Sequence, residues 1–424
     1  MKTKANFGDR VEVHRAKEVF EGIYLPSSES GIFLLKLDNG YNIGFNMKEV
    51  LEIKLIEKRK QKKEHFEIVE DGTKPTIGLV MIGGTISAKL NPGKGGVDWV
   101  DTPEELFKVY PKVFEKVNVR VVSPFMKGSE NMDYKDWQKA TKAVSNLLND
   151  KNISGVIVTE GTDTLHFTSS ALSFFLKNVN KPVVLTYSQR SIDRASSDAE
   201  LNLKCSISVA TSDLAQVVIV GHSSSNDDFC YGLIGTKVRK LHSSRRDAFK
   251  PVNISPLLKA YPDKVEFLLP HAKRNNKKKV LVDSPFEEKV GLIKFYPGQN
   301  PDIIDYYLEK GYKGLVIEFL GIGNIAVSGS RLSWVKKIKE AIAKGMTICA
   351  SAQTIFGRLN PLVYVTGREL SDSGVIFLED MLSETAFVKL GWVLGHSEWA
   401  KDKDLIKEKM LFNFSHELNN RLLE

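Results

Sequence analysis

Five predominantly apolar runs constrain the fold from Thr76 onward: "TIGLVMI" (76–82), "VNVRVVS" (117–123), "SGVIVTEG" (154–161), "KPVVLTY" (181–187) and "AQVVIVG" (215–221). Apart from "VNVRVVS", where Asn118 and Arg120 stand between valines, none alternates apolar with polar residues as a strand with one wet face does. The gaps between them leave room for helices such as Asp133 to Leu148. A strand that is apolar on both sides has to be covered on both sides, so the pattern predicts a parallel sheet with helices over both faces. In such sheets ligands bind beyond the carboxyl ends of the strands. That rule directs attention to three short stretches that follow apolar runs: "GGTIS" (83–87), "GSENM" (128–132) and "TEGTDTLHFT" (159–168).

The first 70 residues read differently. "RVEVH", "FEGIYLP", "IFLLKLD", "GYNIGFN" and "VLEIKLIE" are short strand-like runs separated by "SSESG" and "DNG", the latter a tight-turn signal. Five strands in so short a stretch predict a small SH3-like β-barrel, followed by a charged linker from Glu57 to Glu70. From Pro285 a second βαβ pattern starts. "KVGLIKFYPG" and "KGLVIEFLG" read as strands. "PDIIDYYLEKG" and "SWVKKIKEAIAKG" read as helices closed by glycine, the first also opening on proline. The expected fold class is α/β, with a barrel and linker over 1–70, a large α/β domain over 75–284 and a smaller one over 285–424. At 424 residues the chain is long enough for two or three cores.

Composition narrows the class. Hydrophobic residues at 42% and charged residues at 26% are ordinary for a globular protein. The first residues carry charges without an apolar signal region, and no run approaches the 18 or so apolar residues of a membrane span. Cys205, Cys230 and Cys349 are odd in number and widely spaced, which fits core thiols in a reducing cytoplasm. The net charge of +8 comes largely from "EKRKQKKEH" (57–65) and "KRNNKKK" (273–279). Both read first as solvated linker and loop lysines, and second as nucleic-acid contacts.

The three strand ends combine glycine with hydroxyl side chains. Glycine lets backbones approach closely and exposes N–H groups suited to a developing oxyanion, and a threonine can supply the attacking hydroxyl once it is activated. The eight histidines show no pairing with a serine elbow, and G-x-S-x-G is absent. His166 reads as a core or surface residue of the helix after Asp163. What remains as an activator is Thr162, Asp163 and a lysine, and the residues by themselves do not select which lysine. A lysine acts as a base only when its charged form is disfavoured, which an adjacent carboxylate opposes while fixing its position.

"GGTIS", "GSENM", "TEGTDTLHFT", "SSDAELNL" and "KLHSSRRDAFKPVN" stand in the order and spacing of the bacterial-type asparaginases, which the chain resembles over roughly residues 76 to 400. The resemblance implies a two-domain asparaginase-like fold. It implies Thr85 as the nucleophile that forms an acyl-enzyme with a side-chain amide. Thr162, Asp163 and Lys240 then complete the proton relay, and Gly84, Ser129, Glu130 and Asp163 bind substrate. In that scheme Ser129 and Glu130 hold the α-carboxylate and α-ammonium, Asp163 shares the ammonium, and no metal takes part. One departure stands out. The loop "SAKLNPGKGGVDWVD" (87–101) lacks the tyrosine by which asparaginases help activate the nucleophile, and Trp99 cannot transfer a proton. Pro92, Gly93, Gly95 and Gly96 suit a lid.

The N-terminal "GDRVEV" and "KLDNGYNIG", with "SQRSIDRASSDAELNL" and "SSRRDAF", carry a narrower resemblance over essentially the whole chain, to the GatD family of archaeal glutamyl-tRNA(Gln) amidotransferases. That resemblance implies a glutaminase that passes ammonia to a partner, GatE. The partner uses ATP and magnesium to amidate Glu-tRNA(Gln), and no cofactor binds this chain. It also implies a homodimer core flanked by two partner chains, with tRNA met mainly through the partner. The alternatives are a free-standing L-asparaginase or glutaminase, which leaves the first 70 residues unexplained, and a non-catalytic binding protein, which leaves four matched catalytic positions as relics.

Overall fold

The computed structural model describes residues 5–27, 29–39, 41–58, 71–84, 86, 110–192, 194 and 196–421, and residues 88–91 and 96–99 as backbone. The N-terminal strands are β1 (Arg10–His14), β2 (Val19–Leu25), β3 (Ile32–Lys36), β4 (Asn42–Asn46) and β5 (Glu52–Glu57), in one antiparallel sheet of order β4-β3-β2-β1-β5. Val11, Val13, Phe33, Leu35 and Phe45 alternate along β1, β3 and β4 and are buried together. Their cluster draws only on this segment, so the sheet curls around its own core, as the small-barrel reading expects.

The second sheet has eight strands. In chain order the elements are β6 (Thr76–Met81), a β7–β8 hairpin (Ala88–Asn91 and Gly96–Trp99), β9 (Asn118–Val122), α1 (Tyr134–Leu148), β10 (Ile153–Thr159), α2 (Leu165–Phe175) and β11 (Leu176–Lys177). They continue with β12 (Val183–Thr186), α3 (Ala199–Ala210), β13 (Val217–His222), β14 (Cys230–Ile234), β15 (Val238–Lys240), β16 (Phe249–Pro251), β17 (Leu258–Ala260), β18 (Val265–Phe267) and β19 (Leu281–Val282). The sheet order is β18-β17-β14-β13-β12-β10-β6-β9. Strands β9, β6, β10, β12 and β13 are parallel; β6, β10, β12 and β13 are the apolar, buried ones, and β9, whose run Asn118 and Arg120 interrupt, is the half-buried edge strand. Along β6 and just past it, Ile77, Leu79 and Met81 enter one core cluster, with α3, while Val80 and Ile82 enter the other, with α1 and α2. That is the two-sided burial the sequence demanded.

The sheet departs from the all-parallel expectation at β14, which runs antiparallel to β13 and is followed by antiparallel β17 and β18. Only residues 223–229 link β13 to β14. A parallel crossover needs about a dozen residues or more, so the chain turns back.

The C-terminal unit is parallel throughout. Strands β20 (Val290–Lys294), β21 (Gly314–Phe319), β22 (Thr347–Ala352) and β23 (Ile376–Phe377) lie in sequential order, interleaved with α4 (Ile303–Glu309), α5 (Val335–Ala343) and α6 (Val365–Asp372). Helices α7 (Ser383–Gly395) and α8 (Lys403–Leu411) follow. Gly311 and Gly345, which the sequence places as helix stops, adopt left-handed φ of 76° and 92°. Among the described residues no helix is long and apolar enough to cross a membrane, and the three cysteines are buried and free.

Helix α2 packs on α7, with Phe174 stacked against Trp392 at 5.6 Å. Two ion pairs with fully buried side chains add to this junction. Lys237, just before β15, donates to Asp380 at 2.5 Å, and Lys389 of α7 donates to Glu417 at 2.6 Å. Asp380 also accepts from the Asn419 backbone and side chain, so the C-terminal segment is tied to the residue that anchors Lys237. Burial lowers the pKa of both lysines, and the partner carboxylates offset part of that cost. Removing one member strands a buried charge. Asp380→Ala is expected to lower the unfolding free energy by about 3–5 kcal/mol. Lys237→Met combined with Asp380→Leu should recover most of the loss, both read as midpoints of urea denaturation.

Candidate active site

Strand β6 and strand β10 are neighbours and end together. The Ile82 N–H donates to the Thr159 carbonyl at 3.1 Å, and the next residues, Gly83 and Gly84, turn away with left-handed φ of 134° and 96°. A Cβ on Gly84 would lie 2.3–2.4 Å from the Glu160 carbonyl and the Gly161 nitrogen, and a Cβ on Gly83 would lie 2.0 Å from the Lys127 carbonyl oxygen. Both glycines are therefore required by close backbone approach as well as by conformation. The contact sets Gly84 beside the start of the 161–163 turn.

That turn carries Thr162, which is buried, and Asp163, which is exposed. Lys240, the last residue of β15, crosses to them and donates from Nζ to Thr162 Oγ1 at 2.8 Å and to Asp163 Oδ1 at 2.8 Å. Its side chain is 13% exposed, against 64% for Asp163. Of the lysines left open by residue type, the fold brings this one to the threonine.

Ser129 opens a 3-10 turn, Ser129–Asn131, beyond β9. Its buried hydroxyl accepts from the Asp163 N–H at 3.3 Å, and its carbonyl accepts from Thr164 Oγ1 at 2.8 Å. Gly161 is a glycine because a Cβ there would sit 2.6 Å from Ser129 Oγ. Glu130 is exposed, and its carboxylate accepts from Asn131 at 2.9 Å and lies over Gly128. Gly84, Ser129, Glu130, Thr162, Asp163 and Lys240 thus gather around the ends of β6, β9 and β10, a binding position of an open α/β sheet. Thr85 lies outside the described residues, as do Ser87, Pro92, Gly93, Gly95 and most of the charged linker.

The chain is matched by three family models: residues 5–56 by the GatD N-terminal domain, 76–273 by the N-terminal asparaginase domain, and 289–410 by the glutaminase/asparaginase C-terminal domain. The glutamyl-tRNA(Gln) amidotransferase D-subunit of Pyrococcus horikoshii is 41% identical, over 97% of this chain and 95% of its own. Its Pyrococcus furiosus counterpart is 42% identical, over 98% and 93%. The chain belongs to the GatD family of glutamyl-tRNA(Gln) amidotransferases. Its fold without the N-terminal sheet is that of the asparaginases. A thermostable L-asparaginase from Thermococcus kodakarensis aligns with a TM-score of 0.73 and 26% identity, covering 82% of this chain and all of that one.

Some phrases that mark the GatD family have structural roles. Asp198 of "SSDAELNL" is buried and accepts from the backbone of Gln189 and Arg190, pinning the loop after β12. Asp247 of "RRDAF" accepts from Arg245 and Lys250, and burial of its carboxylate is outweighed by those cations, so its pKa falls. His166 sits in the first turn of α2, buried beside the rings of Phe167 and Phe249. Burial first, then the charges of Arg239 and Lys240, push its pKa down to about 3, so it is neutral at physiological pH, as a core histidine should be.

Reading by residue type passed over Glu160. It is fully buried, and burial raises its carboxyl to about 8, against hydrogen bonds from Thr168 and Thr164 that pull the other way. The available signal was an acidic residue placed directly at the end of an apolar strand. Gly84→Ala should force the ends of β6 and β10 apart and cost about 1–3 kcal/mol of stability. Gly298→Ala provides the comparison, since Gly298 has φ 84° with nothing within 4 Å of its Cβ position. Thermal denaturation should rank the Gly84 variant as clearly less stable than the Gly298 variant.

Proposed function

We propose that this chain is the glutaminase component of a tRNA-dependent amidotransferase, with Thr85 as nucleophile and Thr162, Asp163 and Lys240 as its relay. The observation that supports it most is Lys240 Nζ, held at 2.8 Å from both Thr162 Oγ1 and Asp163 Oδ1, beside the strand end formed by Gly83 and Gly84. Three units divide the work in this reading: residues 1–70 for assembly, 75–284 for chemistry and 285–424 for support of β15 and α2.

The Thr85 hydroxyl attacks the carboxamide carbon of glutamine and passes its proton to the Thr162–Lys240 relay. N–H groups at the glycine-rich strand ends favour the oxyanion. The proton goes to the departing nitrogen, the C–N bond breaks, and ammonia leaves a γ-glutamyl ester on Thr85. Water, deprotonated by the same relay, then cleaves the ester to glutamate and restores the hydroxyl. Ser129 and Glu130 hold the α-carboxylate and α-ammonium of the substrate, and Asp163 shares the ammonium, where a carboxylate opposite a cation is favourable. Gly84 provides the close approach. The ammonia goes to the partner GatE, which uses ATP and magnesium to amidate Glu-tRNA(Gln). A homodimer core with two partner chains, in the cytoplasm, completes the reading.

Thr85→Ala should abolish glutamate release without changing the thermal midpoint, since the variant loses the covalent step and little packing. Lys240→Arg keeps the charge but not the ability to release a proton near neutrality, and should lower kcat by about 10²–10⁴-fold. The amidotransferase reading is tested by glutamate release from the chain alone, from the complex, and from the complex with Glu-tRNA(Gln). The rate is expected to rise at each step. Equal rates in all three, with asparagine preferred over glutamine, would instead favour the free-standing asparaginase.

A further inference from the structure

The Thr164 hydroxyl has two contacts and one proton. It lies 2.8 Å from the Ser129 carbonyl oxygen and 3.2 Å from Glu160 Oε1. A carbonyl can only accept, so the shorter bond takes the Thr164 proton, and the contact with Glu160 is satisfied only if the carboxyl donates. Thr168 Oγ1, at 2.9 Å from the same Oε1, can donate to that oxygen at the same time. The chain of hydrogen bonds closes for a neutral carboxylic acid: Thr168 donates to Glu160, Glu160 to Thr164, and Thr164 to Ser129, with Oε2 left as an unpaired but uncharged carbonyl oxygen. For a carboxylate it does not close. Thr164 would have to turn toward Glu160 and abandon Ser129, and Oε2, which is buried with no hydrogen-bond partner among the described residues, would be a solvent-free anion.

We propose that Glu160 is a positioning residue which, as the neutral acid, aims the Thr164 hydroxyl at the Ser129 carbonyl and so holds the Ser129–Glu130 turn in register with the Thr162–Asp163 turn. This rests on the reading of Ser129, Glu130 and Asp163 as the grip on the α-groups of glutamine. Two tethers join the turns: the Thr164 bond to the Ser129 carbonyl, and the Asp163 N–H bond to Ser129 Oγ. Without the first, the Ser129 carbonyl keeps only its bond from the Met132 N–H, which lies within its own turn.

The surroundings are consistent with an uncharged group. From α2 the groups facing Glu160 are the Thr164 and Thr168 hydroxyls, from the end of β6 the backbone of Gly84, and from β12 the Thr186 carbonyl, which accepts the Glu160 N–H at 3.3 Å. No charged side chain among the described residues contributes to its titration, and burial alone raises its carboxyl to about 8. The acid is therefore neutral below that pH and ionises above it, and loosening of the substrate grip should begin there.

The test uses the full chain assembled with its partner and follows KM and kcat for glutamine from pH 6.5 to pH 9.5. Thr164→Val, which keeps the shape and removes the hydroxyl, should raise KM by about tenfold, the equivalent of one hydrogen bond of this kind, with a smaller effect on kcat. In the parent KM should rise above about pH 8, by more than the titration of glutamine's own ammonium produces. Glu160→Gln retains a donor toward Thr164 and cannot ionise, so its KM curve should keep only the substrate's contribution. Parallel KM curves for the parent and Glu160→Gln, or an unchanged KM in Thr164→Val, would overturn the proposal. Thr162→Ala in the same assay separates the two readings. If it turns over normally, the assignment of the site has failed; if it is inactive while the KM curves are parallel, only the role of Glu160 has.

Discussion

The close approach of two strand ends underlies the candidate site. Gly84, leaving β6, lies against the backbone of Glu160 and Gly161, leaving β10, with no room for a side chain between them. A parallel pair in register brings the two carboxyl ends to the same edge, and the glycines let the chains diverge there without separating. A Cβ at either position would meet main-chain atoms that have no rotamer to change, so the arrangement has little tolerance. The described part of the site hangs from this edge: Gly84 on one strand, Thr162 and Asp163 on the other, and the Ser129 turn on the third.

Lys240 reaches that edge from elsewhere. Its strand, β15, is short and pairs only with β16, so it lacks the support of the large sheet. It is held instead by its neighbours. Lys237 is locked to Asp380, the Thr236 carbonyl accepts from Thr385, and Arg239 pairs with Glu384 at 2.9 Å. Three closely spaced anchors to the start of α7 and the segment before it fix the path of the residues leading to Lys240. The C-terminal unit thus contributes to the candidate site indirectly, by placing a lysine, and the buried charge this requires is compensated pair by pair.

Much of the fold could be read from the chain because its signals are local and redundant. Unbroken apolar runs require two-sided cover, and β6, β10, β12 and β13 have it. The five short N-terminal runs became five strands, and the glycine stops became left-handed helix ends. The antiparallel half of the large sheet was not legible in the same way. Strands β14, β17 and β18 are three to five residues long, and a run that short carries no direction in its composition. Their orientation follows from connection length, which matters only once the partner strand is known.

The candidate site divides along the same line. Sequence by itself determined which stretches are candidates for the chemistry, because "GGTIS", "GSENM" and "GTDT" each combine hydroxyls with glycine or acid at a strand end, and local spacing preserves such combinations. It also determined the family, through motifs spread over the whole length. Residue types did not select a lysine and the asparaginase resemblance pointed to Lys240, but what sets this residue, 78 positions away in sequence, 2.8 Å from Thr162 is the tertiary structure. It alone decided that His166 is neutral and that Glu160 is an acid held without charge. Protonation depends on how much water and which partners surround a group, and those are properties of the packed chain rather than of any residue within it.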